Sequence, residues 1–194
     1  MIGKLVYGVG INDKSKPSRV DKKLLKEYAL WYSMLSRCFS KECQTNHPTY
    51  RECFVSENFR SYSFFYEWCQ EQKGFGKQGW QLDKDILVKG NKIYSEDTCV
   101  FVPHNVNLFF VDRHSARGEY ALGVCMDKRD GKYIAKCNKN GKRVNLGYFS
   151  TQEDAFTTYK KFKEALCKEL ALKWKNEIDA RLFDAMMVWS VNYE

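Results

Sequence analysis

Apolar side chains recur every three to four residues in several parts of the chain, which is the pattern of an amphipathic helix. The spacing predicts helices over residues 24–39 and 61–72, a third helix over residues 150–172 and a final helix from Glu177. The run Ser-Thr-Gln-Glu has the form of a capping box, with Ser150 as the N-cap and Glu153 as its partner. It predicts that the third helix begins at this run.

Residues 80–110 show a different pattern, in which two short apolar runs are separated by turn-forming residues. The runs at residues 82–88 and 98–102 predict two strands, and a short helix is expected after Pro103. The polar residues 111–119 then predict a connection between two domains.

Residues 120–149 predict three antiparallel strands joined by turns at Asp130-Gly131 and Asn140-Gly141. Asn-Gly is the strongest two-residue hairpin signal, because a type I′ turn needs positive φ at both central positions. We therefore expect an α+β fold. Its parts are N-terminal helices with a strand-loop-strand-helix unit in domain 1–110, a linker at 111–119, a three-stranded sheet packed on one helix in domain 120–172, and a C-terminal helix in 173–194.

Strand alternation assigns the side chains of this sheet to two faces. Tyr133, Ala135 and Cys137 share one side, and Val144 and Leu146 on the next strand are expected to meet the helix. The opposite face is expected to carry Lys132, Ile134, Lys136, Asn138, Lys142, Arg143 and Asn145.

The chain has 194 residues and a formal net charge of +8, and residues 120–149 hold seven Lys and Arg against two Asp. A sheet face with one sign of charge favours a polyanionic partner, because like charges repel across a strand pair. A narrow β-ribbon also fits the major groove of DNA, where Arg reads guanine and Asn reads adenine. The alternative is a basic face that is simply solvated.

The eight cysteines include no Cys-x-x-Cys pair, which is the spacing typical of small zinc sites. No apolar run approaches the roughly 18 residues of a membrane span, and the first residues lack the pattern of a secretory signal. We therefore expect buried free thiols, a cytoplasmic protein and no membrane partner. A metal site at Cys38, Cys43 and Cys53 is the alternative.

The run GVCMDKRDGKYIAKCNKNGKRVNLGYFSTQEDA at residues 123–155 resembles the DNA-binding domain of the plant APETALA/ethylene-response-factor family, which also occurs in phage proteins beside HNH endonuclease modules. The resemblance implies that the sheet reads the major groove of double-stranded DNA. Lys136 stands where the family commonly has an acid and Asn145 where it has tryptophan, so the target sequence does not transfer. The contact positions of the family and the neighbouring cations give the expected DNA-binding residues Lys128, Arg129, Lys132, Lys136, Asn138, Lys142, Arg143 and Asn145.

Further runs resemble successive blocks of phage-encoded HNH-type homing endonucleases, among them ALWYSMLSRCFS, LDKDILVKGNKIYSEDTCVFVP and DRHSARGEYALGV. An HNH site uses a histidine base and a divalent metal that stabilises charge at the scissile phosphate. In this chain Asp83 keeps the acidic position, Lys84 occupies that of the histidine, and Thr98 stands where an asparagine is frequent. Asn105 or Asn107 is expected to supply the position on the helix, and His104, which opens this helix, is the candidate to replace the missing histidine. The catalytic candidates are therefore Asp83, Asp85, His104 and Asn107, with Asp83 and His104 as ligands of Mg²⁺ or another divalent metal if the site is catalytic, and no cofactor otherwise.

These observations leave three functions open. The favoured interpretation is a sequence-preferring, double-stranded DNA-binding protein of phage type with a degenerate nuclease site, acting in the host cytoplasm. The second is an active metal-dependent HNH-type endonuclease or nickase. The third is a phage protein whose basic sheet binds an acidic host protein.

Overall fold

The computed structural model describes residues 5–111 and 119–193 and has an α+β fold, as predicted. The chain divides into two compact units, one formed by Met1–Asn107 with Glu177–Leu182 and the other by Leu108–Asn176 with Phe183–Glu194. The predicted linker at 111–119 lies almost wholly outside the described residues. None of the helices within the described ranges has the length and apolarity that a membrane span requires.

The first unit consists of short strands and helices. In chain order these are β1 (Arg19–Val20), β2 (Lys23–Leu24), α1 (Lys26–Phe39), α2 (Lys41–Asn46), a 3₁₀ helix (Pro48–Tyr50), β3 (Phe54–Val55), α3 (Glu57–Arg60), α4 (Tyr62–Glu71), β4 (Trp80–Asp83), β5 (Ile93–Tyr94), β6 (Val100–Pro103) and α5 (His104–Phe110), whose last residues belong to the second unit. The two helices predicted in this part correspond to α1 and α4.

An aromatic core holds α1, α3 and α4 together, because the apolar stripes of these helices face one another. Trp31, Phe59, Tyr62 and Phe65 are completely buried, and the indole Nε1 of Trp31 donates a hydrogen bond of 2.8 Å to the Phe59 carbonyl oxygen. This bond satisfies the polar atom of the largest core side chain.

The predicted strand at residues 82–88 is wrong, because strand β4 ends at Asp83. The Asp83 carboxylate accepts the backbone N–H groups of Asp85 at 2.7 Å and Ile86 at 2.9 Å. This local turn takes the following residues out of the β-ladder. Strand β4 pairs antiparallel with β6, so that Asp83 lies opposite Val100 and Trp80 opposite Pro103.

The second unit is a three-stranded antiparallel sheet packed on one long helix. Its elements are β7 (Val124–Asp127), β8 (Lys132–Lys139), β9 (Lys142–Phe149), α6 (Gln152–Trp174) and α7 (Ala180–Val188), whose first residues belong to the first unit. Asn140 and Gly141 have φ values of 54° and 77°, as the predicted type I′ turn requires.

Helix α6 begins one residue later than the predicted capping box. Its N-cap is Thr151, whose hydroxyl accepts the Asp154 N–H at 3.2 Å, so the assignment of Ser150 and Glu153 is wrong. A threonine hydroxyl can satisfy a free amide of the first turn as a serine hydroxyl does. The cap therefore keeps the hydroxyl-to-amide bond of the predicted box one residue later, while the Asp154 carboxylate accepts from the Thr151 hydroxyl.

The core of the second unit lies between α6 and one face of the sheet. Ala135 and Cys137 of β8 pack there with Phe156 and Tyr159 of α6, as strand alternation predicts. The C-terminal segment packs on the same side of the sheet. Val191 joins this core, and the Tyr193 ring contacts the Phe156 ring, the centroids lying 4.6 Å apart.

Candidate functional site

The face of the sheet that points away from α6 carries four cross-strand rows of side chains. The register gives the rows Asp127 with Lys132, Cys125 with Ile134 and Tyr148, Lys136 with Asn145, and Asn138 with Arg143. The predicted DNA-binding residues Lys132, Lys136, Asn138, Arg143 and Asn145 therefore all lie on one face. Val191 and Tyr193 of the C-terminal segment pack on the helix side of the sheet and not on this face.

Among the described residues, Lys136 and Arg143 have no acidic cross-strand partner on this face, whereas Lys132 lies opposite Asp127. Lys132, Lys136 and Arg143 form no ion pair within 4.0 Å there, and Lys132 and Arg143 are exposed. Lys136 and Arg143 are diagonal neighbours across the strand pair, a relationship in which residues lie about 7–8 Å apart. Like charges at this distance repel each other, so the face is electrostatically complementary to an anion.

Arg129 and Lys128 lie in the turn between β7 and β8 and are exposed. The Arg129 guanidinium donates from Nε to the Asp130 Oδ1 at 3.0 Å and from Nη2 to Oδ2 at 3.3 Å. The side chain of Arg129 is 83% exposed, so this pair is screened by water and can exchange its carboxylate for another anion. The Arg129 guanidinium therefore adds N–H donors that can bind an external anion at one end of the face.

Lys142 differs from its predicted outward position. It lies opposite Lys139 at the end of the hairpin, and Lys139 Nζ pairs at 2.9 Å with the Glu169 carboxylate of helix α6. By register, Lys142 thus shares the helix side of the sheet with Lys139, although it is exposed. Lys142 lies two residues before Val144, which the sequence already places on the helix side. Strand alternation therefore assigns Lys142 to that side as well.

Sequence reasoning missed the exposed Tyr148 on the outward face. The strand pairing has a β-bulge between Ala135 and Lys136, at which Leu146 is the extra residue. As a result Tyr148 lies on the outward face, opposite Ile134. Gly147 has φ +141°, and a glycine within a strand is the sequence signal for such a bulge. Tyr148 therefore adds an aromatic surface, 55% exposed, next to the cations.

A second candidate site is a pocket of about 390 Å³ in the first unit. Asp83, Asp85 and Asn107 of the predicted catalytic set line this pocket, whereas His104 does not. His104 follows Pro103, which lies opposite Trp80, three residues from Asp83 along β4. Three residues of strand span about 10 Å, so the predicted metal ligands Asp83 and His104 lie toward opposite ends of the strand pair.

Lys84, which the resemblance assigns to the position of the HNH histidine, is held by two hydrogen-bond acceptors and an aromatic ring. It is 6% exposed, donates to the Asp85 carboxylate and to the Asn91 carbonyl oxygen at 3.0 Å, and lies 5.5 Å from the centre of the Tyr94 ring. A lysine ammonium has three donors and no acceptor, so it cannot take a proton from water. The side chain thus serves as a structural cation.

The remaining groups of the pocket give it mixed charge. The Arg37 guanidinium donates to the Tyr94 hydroxyl at 3.3 Å and lies 5.5 Å from the centre of the Tyr50 ring. Burial raises the pKa of the Asp83 carboxyl above its ordinary value, although the two backbone amides that it accepts act in the opposite direction. Arg37 was not identified from sequence, where it reads as a polar residue of an amphipathic helix.

The donor set of the pocket does not match the predicted metal site. Among residues 5–111 and 119–193 no group of three or more His, Cys, Asp or Glu side chains is placed to hold a metal ion. Cys38, Cys43 and Cys53 form no such group. All eight thiols are free, and six of them are buried as predicted, whereas Cys43 and Cys125 are partly exposed. Burial raises the pKa of Cys38 to about 12, which keeps this thiol protonated at neutral pH.

Comparisons of the chain with models of known protein families, with curated protein sequences and with solved structures find no match. The function of the two candidate sites is therefore argued from their own geometry and chemistry.

Proposed function

We propose that the protein binds double-stranded DNA through the outward face of the β7–β9 sheet. The observation that carries this proposal is the composition of that face, on which Lys136 and Arg143 lie beside Asn138 and Asn145 and form no ion pair among the described residues. A free protein gains nothing from such an arrangement, because like charges on one face repel. Binding to a polyanion removes this repulsion.

The two kinds of side chain on the face suit two kinds of DNA contact. Lys132 and Lys136 provide point charges for phosphates, which fix the position of a protein on the duplex without reading sequence. Arg143 and Asn138 are cross-strand partners, and their side chains match the hydrogen-bonding edges of guanine and adenine in the major groove. The face therefore supports sequence-preferring binding as well as affinity.

An acidic protein is the competing partner for a basic surface. Such a partner requires cations only, whereas this face alternates cations with the amides of Asn138 and Asn145. Amides add little to the attraction of a carboxylate surface and are well suited to base edges. Duplex DNA thus accounts for both residue types with one ligand.

The test is the affinity of the full chain for labelled duplexes over a series of salt concentrations, measured by fluorescence anisotropy. We expect the logarithm of the association constant to fall linearly with the logarithm of salt concentration, with a slope of about −0.9 for each phosphate neutralised. Selection from a random duplex library should enrich a preferred sequence. The proposal would be overturned if poly-glutamate competed for binding as well as unlabelled DNA does. It would also be overturned if no duplex showed salt-dependent binding.

The pocket in the first unit supports the view that the nuclease site is degenerate. It is lined by Asp83, Asp85 and Asn107 of the expected catalytic set, and the Lys84 ammonium within it is bound to the Asp85 carboxylate. We therefore propose binding without cleavage.

A further inference from the structure

A second concentration of positive charge lies far from the sheet in sequence. Residues 14–26 hold six Lys and Arg against the single acid Asp21, a net charge of +5 that equals the net charge of residues 120–149. Because the whole chain carries +8, all other residues together sum to −2. The excess positive charge of this protein is therefore confined to two short segments, and the proposed sheet interface uses only one of them.

Residues 14–26 contain the hairpin formed by β1 and β2. Val20 lies opposite Lys23, and the two residues of the turn, Asp21 and Lys22, have φ values of 49° and 63°. This left-handed conformation is uncommon for any residue with a side chain, and lysine lacks the short polar side chain with which Asp and Asn stabilise it locally. The backbone nevertheless holds a lysine at the exposed tip of the hairpin.

The base of this basic hairpin is fixed to the rest of the first unit. The Tyr62 hydroxyl donates to the Pro17 carbonyl oxygen at 2.8 Å, and the Leu25 N–H donates to the Ser18 carbonyl oxygen at 3.0 Å. Lys16 forms an ion pair with Glu67 of helix α4. The hairpin is thus anchored at its base, and its position does not depend on the two-residue strands alone.

Lys22 and Lys23 near the tip, and Lys14 just before the base, are not neutralised. Lys14, Lys22 and Lys23 are exposed, and within the described ranges none of them has a carboxylate oxygen closer than 4.0 Å. Asp13, the acid next to Lys14, instead accepts hydrogen bonds from the hydroxyls of Ser15 and Ser63. The free charges of the hairpin therefore point to an external anion.

We infer that the basic hairpin is a second DNA contact, in which Lys14, Lys22 and Lys23 bind phosphates of the duplex. The inference rests on the proposed function, since it assigns the same ligand to a different unit of the chain. Lysine ammonium groups are point charges that bind phosphates, and the tip of the hairpin carries no Asn or Gln with which to read a base. This contact adds affinity equally on every sequence.

The test is the salt dependence of duplex binding by the full chain carrying Lys14→Gln, Lys22→Gln and Lys23→Gln. The matched control carries Lys41→Gln, Lys73→Gln and Lys89→Gln, three exposed lysines of the same unit, so that both variants have the same net charge. We expect the hairpin variant to lower the log-log slope by about 0.9 for each phosphate that is no longer neutralised, up to about 2.7, on all duplexes alike. The control variant should keep the slope of the wild type, and Arg in place of each hairpin lysine should also preserve it.

The possible failures are distinguishable by one further variant, Lys136→Gln with Arg143→Gln on the sheet. A hairpin variant with the wild-type slope, together with a sheet variant that binds weakly, would overturn the second contact and leave the proposed function intact. Equal decreases in the hairpin variant and its control would also overturn it, because they would show only an effect of net charge. If the wild type itself shows no salt-dependent binding to duplexes, both proposals fail.

Discussion

Lys136 on β8 lies directly opposite Asn145 on β9, on the face of the sheet that points away from helix α6. The pair puts an ammonium group next to an amide at the distance of one strand spacing, about 4.8 Å. The β-bulge begins at this pair, between Ala135 and Lys136, and determines which side chains follow on the outward face. The cation-amide pair and the bulge together define the surface that we propose for DNA.

DNA bound to this face should protect Cys125 from alkylation. Cys125 lies opposite Ile134 on the outward face and is partly exposed, as is Cys43 in the first unit, whereas the other six thiols are buried. In the free native protein we expect iodoacetamide to label Cys43 and Cys125 first. Saturating duplex should slow labelling at Cys125, measured by mass spectrometry, and leave Cys43 as the internal control. Equal rates at Cys125 with and without DNA would contradict the proposed interface.

The close approach of Gly123 to Tyr159 should make Gly123→Ala strongly destabilising. Gly123 has φ +77°, and an added Cβ would lie 2.1 Å from the Tyr159 ring. The left-handed backbone costs about 1–2 kcal/mol for alanine, and overpacking adds about 1–3 kcal/mol. The matched control is Gly131→Ala, which has φ +63° and open space around the Cβ, so it should show the backbone cost alone. Urea unfolding measures both, and equal decreases in stability would contradict the packing described for Tyr159.

Asp83→Asn should stabilise the protein at neutral pH. Burial raises the pKa of the Asp83 carboxyl in the folded state. The stability that this group contributes is therefore fully present below the ordinary aspartate pKa, and it is lost as the pH rises through the pKa of the folded state. The variant keeps an oxygen acceptor for the amides of Asp85 and Ile86 and removes the partly buried charge.

The measurement for Asp83→Asn is urea unfolding at a series of pH values. We expect a higher free energy of unfolding than that of the wild type at pH 7 and a difference that shrinks as the pH falls toward the ordinary aspartate range. Asp97→Asn, at an exposed position, is the control and should change stability by less than about 0.5 kcal/mol. A variant that is less stable than the wild type at pH 7 would contradict this assignment of the Asp83 environment.

The pocket that contains Lys84 should not support cleavage. We expect supercoiled plasmid to remain intact with the protein in Mg²⁺ or Mn²⁺, because the Lys84 ammonium is bound to Asp85 and Asn91 and His104 lies outside the pocket. Agarose gels of nicked and linear products measure this, with Asp83→Ala as the control for contaminating nucleases. Nicking by the wild type that disappears in Asp83→Ala would contradict the degenerate site and favour the endonuclease alternative.

The second unit follows from sequence more fully than the first. Its turn at Asn140-Gly141 and the inward position of Ala135 depend on local rules, namely the φ requirement of a type I′ turn and the alternation of strand side chains. The outward position of Tyr148 depends on a bulge, which shifts the alternation by one residue. Gly147 signals the bulge but does not fix its register.

The pocket of the first unit was less predictable, because its geometry depends on contacts between residues distant in sequence. Strand β4 ends at Asp83 because the Asp83 carboxylate accepts hydrogen bonds from the next residues. The spacing of apolar side chains does not predict such bonds. Arg37 reaches Tyr94 from a helix 57 residues earlier. The placement of His104 likewise follows from the register of β4 on β6, and sequence alone gives no register for two strands separated by a long loop.

The decisive measurement is the salt dependence of duplex binding by two full-chain variants. Each variant lacks two positive charges of the second unit. One carries Lys136→Gln and Arg143→Gln on the outward face, and the other carries Lys161→Gln and Lys168→Gln at exposed positions of helix α6. We expect the first to bind duplex DNA more weakly and to lower the log-log salt slope by up to about 1.8, while the second keeps the wild-type slope. Equal affinities and slopes in the two variants would contradict binding of DNA by this face of the sheet.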